Sequence, residues 1–191
     1  MQKKTERMVL PWHGLFFHST ICPPRMSTAT PHQAPSIAVG ESAPDFELFS
    51  HATEPWRLSN QKGDPVVLLF FPGAFTSVCT TELNTVSNDL DAYPDATVVG
   101  ISTDSPFALG EFHSVNDFQF PLLSDHDGAV SNLYGAKYDN DFTDMGLDRI
   151  SKRAAFVIDG DGVVQYTEVL DNAGEQPDFD AIQSTLQDIA S

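Results

Sequence analysis

Six consecutive apolar residues, Val66 to Phe71, followed at once by Pro72 and Gly73, constrain this chain more than any other stretch of it. A run this short, with two β-branched and two aromatic members, reads as a strand buried on both faces rather than as a helix. Pro72 and Gly73 end it. A strand covered on both sides needs structure above and below it, so the domain around it is expected to be α/β. Beyond the turn, Thr76 or Ser77 can cap a helix whose first turn holds Val78, Cys79, Thr80 and Thr81. Glu82 comes next, and Leu83, Val86 and Leu90 continue at helical spacing.

A thiol in a first helical turn is not in a neutral place. The unpaired N–H groups and the positive dipole end of that turn stabilise a negative sulfur. The plainer alternative is that Cys79 is a small buried hydrophobe, as most single cysteines of intracellular proteins are. Thr76 shifts the balance, because it places a hydroxyl about one helical turn from the sulfur, where it can bond an attacking or leaving oxygen.

The rest of the chain alternates. Thr97–Ser102 reads as a second buried strand in a β-helix-β order, which implies a right-handed parallel crossover. Ser105 and Pro106 cap and start a helix to about Asn116, and short elements follow at Phe120–Leu123 (strand) and Ala129–Tyr134 (helix). Ala155–Ile158 and Val163–Glu168 are strands joined by Asp159-Gly160-Asp161-Gly162, a strong hairpin signal. A final amphipathic helix begins near Asp178 and carries Phe179, Ile182, Leu186 and Ile189. A β-helix-β unit followed by a hairpin and a helix is the thioredoxin-like order, a central mixed sheet flanked by helices.

Pro72, Thr76 and Cys79 form the spacing Pro-x-x-x-Thr-x-x-Cys, and the segment around them resembles the active-site loop of the peroxiredoxins. Its flanks, FFPGAFTSVCTTEL, are similar to the one-cysteine alkyl hydroperoxide reductase E type and to bacterioferritin comigratory proteins. Ala43–Leu48 resembles the family's opening strand, and Arg153–Asp159 the strand that carries its active-site arginine, so the likeness runs from about Ile37 to the C-terminus. The resemblance implies a thiol-dependent peroxidase, in which Cys79 attacks a peroxide oxygen and becomes a sulfenic acid. Arg153, Thr76 and backbone N–H groups would hold the oxygens, Pro72 would shield the sulfur, and Glu82 would orient Arg153 or its neighbours. It implies no metal and no other cofactor. The implied partners are a peroxide, an external thiol reductant (a thioredoxin-like protein or a low-molecular-weight thiol) and a second copy of the chain in a homodimer.

Two rival readings concern the same cysteine. A thiol-disulfide oxidoreductase needs a second cysteine nearby, but the position three after Cys79 is Glu82, and the position five after it, where many comigratory proteins carry a resolving cysteine, is Asn84. A non-catalytic binding or chaperone module would leave Cys79 incidental. The set of Pro72, Thr76, Cys79 and Arg153 argues against that.

With 191 residues the chain is one domain's worth, able to bury a core without disulfides or metals. Residues 1–25 hold four of the ten cations and one of the 27 acids, which leaves residues 26–191 at a formal charge of −20. Residues 1–25 imitate a signal peptide poorly: Pro11, His13 and Gly14 break the apolar part and no Ala-x-Ala-like site follows. Residues 1–36 are therefore expected to be a disordered extension that includes Cys22, with Met26 a candidate true start and residues 37–191 the folded domain. No apolar stretch approaches the roughly 20 residues needed to span a membrane, so a soluble, cytoplasmic protein is expected.

The 19 aspartates against 5 lysines describe an acidic surface on a folded protein. Such a surface excludes nucleic acid and anionic membrane as partners, and adaptation to high salt is the favoured explanation, a mesophilic acidic enzyme the alternative. The field does not defeat a charged sulfur. A cation at about 4 Å in an effective dielectric of about 20 is worth on the order of 4 kcal/mol, whereas acids beyond a Debye length of about 8 Å count for little. Arg149, Lys152 and Arg153 gather three of the six cations of residues 26–191; Arg153 is the candidate, and the other two are undecided. The six histidines show no ligand spacing, and Asp139, Asp141 and Asp144 lack the glycine and glutamate of a calcium loop.

Overall fold

A computed structural model of the chain describes residues 37–139, 142, 146, 147 and 149–191. The expected extension at 1–36 and the acidic positions Asp141 and Asp144 lie outside the described residues. The element order is β1 (Glu47–Ser50), β2 (Pro55–Arg57), β3 (Val66–Phe70), α1 (Ser77–Asn88), β4 (Thr97–Ser102), α2 (Pro106–Asn116), β5 (Leu122–Ser124), α3 (Ala129–Leu133), β6 (Arg153–Ile158), β7 (Val164–Leu170) and α4 (Phe179–Ile189).

The strands form one seven-stranded mixed sheet in the order β2-β1-β5-β4-β3-β6-β7. The apolar run is its centre: all five residues of β3 are buried, parallel to β4 on one side and antiparallel to β6 on the other. Alternation along β3 divides the core in two. Val67, Leu69 and Phe71 join Leu83 and Val86 of α1, Leu109 and Phe112 of α2, and Ile182 and Leu186 of α4. Val66, Leu68 and Phe70 join Tyr134, Phe156 and Phe46 on the other face. The crossover from β3 through α1 to β4 is thus the expected unit, and the fold class is the thioredoxin-like one read from the order of elements.

Local chemistry explains the boundaries. Ser105 Oγ accepts from the Ala108 N–H and Pro106 opens α2; Asp178 Oδ1 accepts from the Ala181 N–H and opens α4. In the β6–β7 hairpin, Asp159 Oδ1 accepts from the N–H groups of Asp161 and Val163, and Gly162 takes the left-handed conformation that closes the turn (φ 86°). Gly100 is required for space: a Cβ there would meet Leu122 Cδ2 at 2.7 Å, with Phe71 next nearest. The β1–β2 hairpin was not anticipated; β1 pairs antiparallel with both β2 and β5.

Register delivers one charged side chain to the end of the sheet where β3 runs into Pro72. Phe70 of β3 pairs with Ala154 of β6, so Arg153 stands one residue further on, beside the point where β3 gives way to Pro72. Ala155 and Val157 face the α1 side of the sheet, and period-two alternation points Arg153 the same way.

Candidate active site

Cys79 is the third residue of α1, with Thr76 at the N-cap. The first backbone bond of the helix runs from the Thr80 N–H to Thr76 O, so the N–H groups of Ser77, Val78 and Cys79 precede the helical ladder. The sulfur sits among the apolar residues of the α1 face and Cys79 is 1% exposed. Cys79 is packed as a hydrophobe, and Arg153 Nη2 donates to its Sγ at 3.4 Å.

Arg153 is itself 1% exposed, and its charge is met by Glu82, whose carboxylate Oε2 accepts from Nη1. Glu82 lies three residues after Cys79, which puts both on one face of α1. A guanidinium removed from water needs such a partner, and a carboxylate removed from water needs the guanidinium. Arg153 Nη2 also donates to the backbone carbonyl of Ala173 at 2.9 Å. Glu82 Oε1 and Arg153 Nε have no hydrogen-bond partner among the described residues.

Pro72 is buried, and Thr76 stands at the exposed rim. The threonine departs from the expected arrangement. Its side chain makes no cap bond; its Oγ1 donates back to Gly73 O at 3.0 Å, because the loop carries that carbonyl inside hydrogen-bond reach. Its proton is therefore engaged, which leaves the oxygen available as an acceptor. The other two clustered cations lie elsewhere. Lys152 pairs with Asp171 at 2.7 Å, and Arg149 Nη1 reaches His126 O at 3.5 Å.

Three features were not read from the sequence. Asp104 Oδ2 accepts from the Ala74 N–H at 2.8 Å and from Ser102 Oγ at 2.9 Å, tying the Pro72–Thr76 loop to the end of β4. Phe75 holds a left-handed backbone (φ 60°) while 59% exposed, its ring 5.0 Å from that of Phe112. A non-glycine residue in that region is strained, and such strain persists only where the surroundings hold it. Finally, the side chains of Thr80, Thr81, Asn84 and Thr85 bond back to the carbonyls four residues earlier, so polar groups of α1 compete with its own ladder. Asp104 stands just before the Ser105-Pro106 helix start and carried no signal of its own; the Ala173 contact is a backbone group and has none to carry.

A surface hollow of about 390 Å³, lined in part by Leu58, Lys62, Asp64, Val66 and Ile158, lies at the other end of β3 and touches none of these residues. Among the described residues no group of three or more His, Cys, Asp or Glu side chains could hold a metal ion, and no helix is long and apolar enough to cross a membrane. His51 and His113, which had no ligand spacing, stack with ring centroids 3.8 Å apart and planes 10° from parallel. Leu122 N–H donates to His51 Nδ1. Burial lowers the pKa of both imidazoles, and for His51 the neighbouring His113 lowers it further.

Residues 39–167 match the AhpC/TSA family. The chain is 36% identical over 150 residues to the selenocysteine-containing peroxiredoxin PrxU of Peptoclostridium acidaminophilum, covering 70% of this chain and 68% of that protein. It is 31% identical over 156 residues to peroxiredoxin Bcp of Escherichia coli K12, covering 81% and 98% respectively. The crystal structure of peroxidoxin BcpB from Mycobacterium tuberculosis superposes with a TM-score of 0.70 at 34% identity, over 81% of this chain and 99% of that one.

Proposed function

The chain belongs to the AhpC/TSA family and is a peroxiredoxin, and from that premise we propose that it reduces hydrogen peroxide and organic hydroperoxides through a sulfenic acid on Cys79, by a one-cysteine mechanism. The observation that carries the reading is the buried relay in which Glu82 holds Arg153 and Arg153 donates to Cys79 Sγ. The guanidinium donates to the sulfur and sits where charge develops on the peroxide oxygens.

The thiolate attacks one peroxide oxygen; the S–O bond forms as the O–O bond breaks, and the departing oxygen takes a proton and leaves as water or alcohol. Thr76, its proton engaged with Gly73 O, accepts the hydrogen of the incoming peroxide. Arg153 and the N–H groups at the start of α1 stabilise the separating oxygens. Pro72 excludes water from the sulfur. An external thiol then forms a mixed disulfide with Cys79 and releases water, and a second thiol restores the cysteine. Asn84, where a resolving cysteine could stand, instead donates to Thr80 O, which supports an external reductant. Residues 37–191 form the catalytic domain in this reading, residues 1–36 add nothing to the chemistry, and two copies associate. The need for an external thiol supports the cytoplasm as the compartment, and the surplus of acidic residues supports work at high salt.

The test is peroxide consumption followed by stopped flow on the full chain. Cys79→Ser is expected to abolish it and Cys22→Ser to leave it intact. With one equivalent of peroxide the protein should accumulate Cys79 sulfenic acid by mass spectrometry, recover with an external thiol, and proceed to sulfinic acid in excess peroxide. Comparable loss from Cys22→Ser, or an interchain disulfide through Cys79 as the main product, would overturn the one-cysteine assignment.

A further inference from the structure

Glu82 alone does not aim Arg153. A planar guanidinium held at Nη1 can still swing about that contact, and a second fixed point is needed before the hydrogens of Nη2 have a defined direction. Ala173 O is that point: Nη2 divides its two hydrogens between this carbonyl at 2.9 Å and Cys79 Sγ at 3.4 Å. The acceptor is neutral, which matters beside a charged sulfur. A second carboxylate here would compete with the thiolate for the cation, whereas a peptide carbonyl orients the fork without adding negative charge.

The carbonyl belongs to a turn with its own fastenings. Strand pairing places Leu170 opposite Arg153, and the chain then folds back. Asn172 Oδ1 accepts from the Gly174 N–H at 2.9 Å, Asn172 Nδ2 donates to Glu175 Oε1 at 3.1 Å, and the Glu175 N–H returns to Asn172 O at 3.1 Å. Just before it, Lys152 holds the Asp171 carboxylate and Tyr138 Oη donates to Asp171 O. Asn172 is exposed, so burial does not account for these bonds; their geometrical result is the direction of the Ala173 carbonyl.

We propose that the turn from Asn172 to Glu175 is a positioning element of the peroxidatic site, with Asn172 the positioning residue that fixes the Ala173 carbonyl and through it the Arg153 hydrogen bond to Cys79. The proposal rests on the peroxidase reading above. It is tested by measuring the rate constant of Cys79 oxidation by hydrogen peroxide, together with the exchange of the Arg153 guanidinium protons by NMR, in the full chain. Asn172→Ala is expected to slow oxidation about tenfold and to speed Arg153 proton exchange, the size set by loosening one hydrogen bond to a charged group. Asn172→Asp combined with Glu175→Gln keeps the acceptor for Gly174 and a donor–acceptor pair between positions 172 and 175, and should remain within about twofold of the parent on both measurements. If Asn172→Ala does not fold, a semisynthetic chain with an ester in place of the Ala173–Gly174 amide weakens the same carbonyl as an acceptor and should show the same slowing. Parental rate and exchange in Asn172→Ala or in the ester, or equal losses in Asn172→Ala and in the Asn172→Asp, Glu175→Gln double variant, would overturn the proposal. Failure of the peroxidase reading looks different, since then Cys79→Ser would still consume peroxide whatever stands at position 172.

Discussion

Among the described residues two arginines make ion pairs with carboxylates, and they live in opposite worlds. Arg57, on the edge strand β2, reaches Asp45 at 3.1 Å and Glu47 at 3.0 Å with 43% of its side chain exposed. Arg153, at the start of β6, meets Glu82 with both side chains at 1% exposure or less. At the surface, water already solvates each partner, so the contact adds little and salt screens it. In the interior each charge is intolerable without the other, and an apolar pair of similar volume would hold the core about as well. The difference teaches that the buried pair is to be understood through Cys79, and the exposed pair through the packing of a hairpin edge.

The comparison can be broken most forcefully at Glu82. Glu82→Ala strands the Arg153 charge in the core and is expected to cost about 3–5 kcal/mol of stability, read by denaturant unfolding. Arg153→Lys retains the charge but loses the planar fork, and should lower the rate constant for peroxide on the order of a hundredfold in stopped flow; a near-normal rate would remove Arg153 from the site. Replacing both partners, Glu82→Leu with Arg153→Met, sharpens the contrast: stability should return to near the parent value while peroxide consumption stays lost.

Between the two extremes stands the half-buried His51–His113 stack. Their pKa values are lowered in the folded state, so the neutral rings contribute stability above the unfolded value of about 6.5, and that stability is lost as pH falls below it. Glu54 beside His51 and Asp117 beside His113 act in the opposite sense. The melting temperature should therefore drop between neutral pH and pH of about 5, and His113→Phe should flatten that slope. The smallest effect belongs to the surface. Arg57→Ala should leave the melting temperature close to the parent's, and molar salt should erase what difference there is.

How much of this was legible in the chain follows from what each feature depends on. The strand at Val66, its proline-glycine end and the helix that begins by Cys79 are local, and composition within a dozen residues was enough to read them. The same holds for the caps Ser105 and Asp178 and for the Asp159–Gly162 turn. Arg153 is 74 residues from Cys79, and only resemblance to a family singled it out before register put it there. The reversed hydroxyl of Thr76, the Asp104 tether and the Ala173 carbonyl depend on where distant backbone groups come to rest, which residue types do not encode. The β1–β2 hairpin escaped for a similar reason: β2 has three residues, too few for alternation to register.

The near-complete enclosure of Cys79 has a consequence for timing. In this conformation Sγ lies beyond the reach of a thiol carried on another protein, so under the reading proposed above such a reductant would meet the sulfur only after the segment around Cys79 had opened. The hydroxyls of Thr80, Thr81 and Thr85, bonded to carbonyls of α1 itself, lower the cost of such an opening.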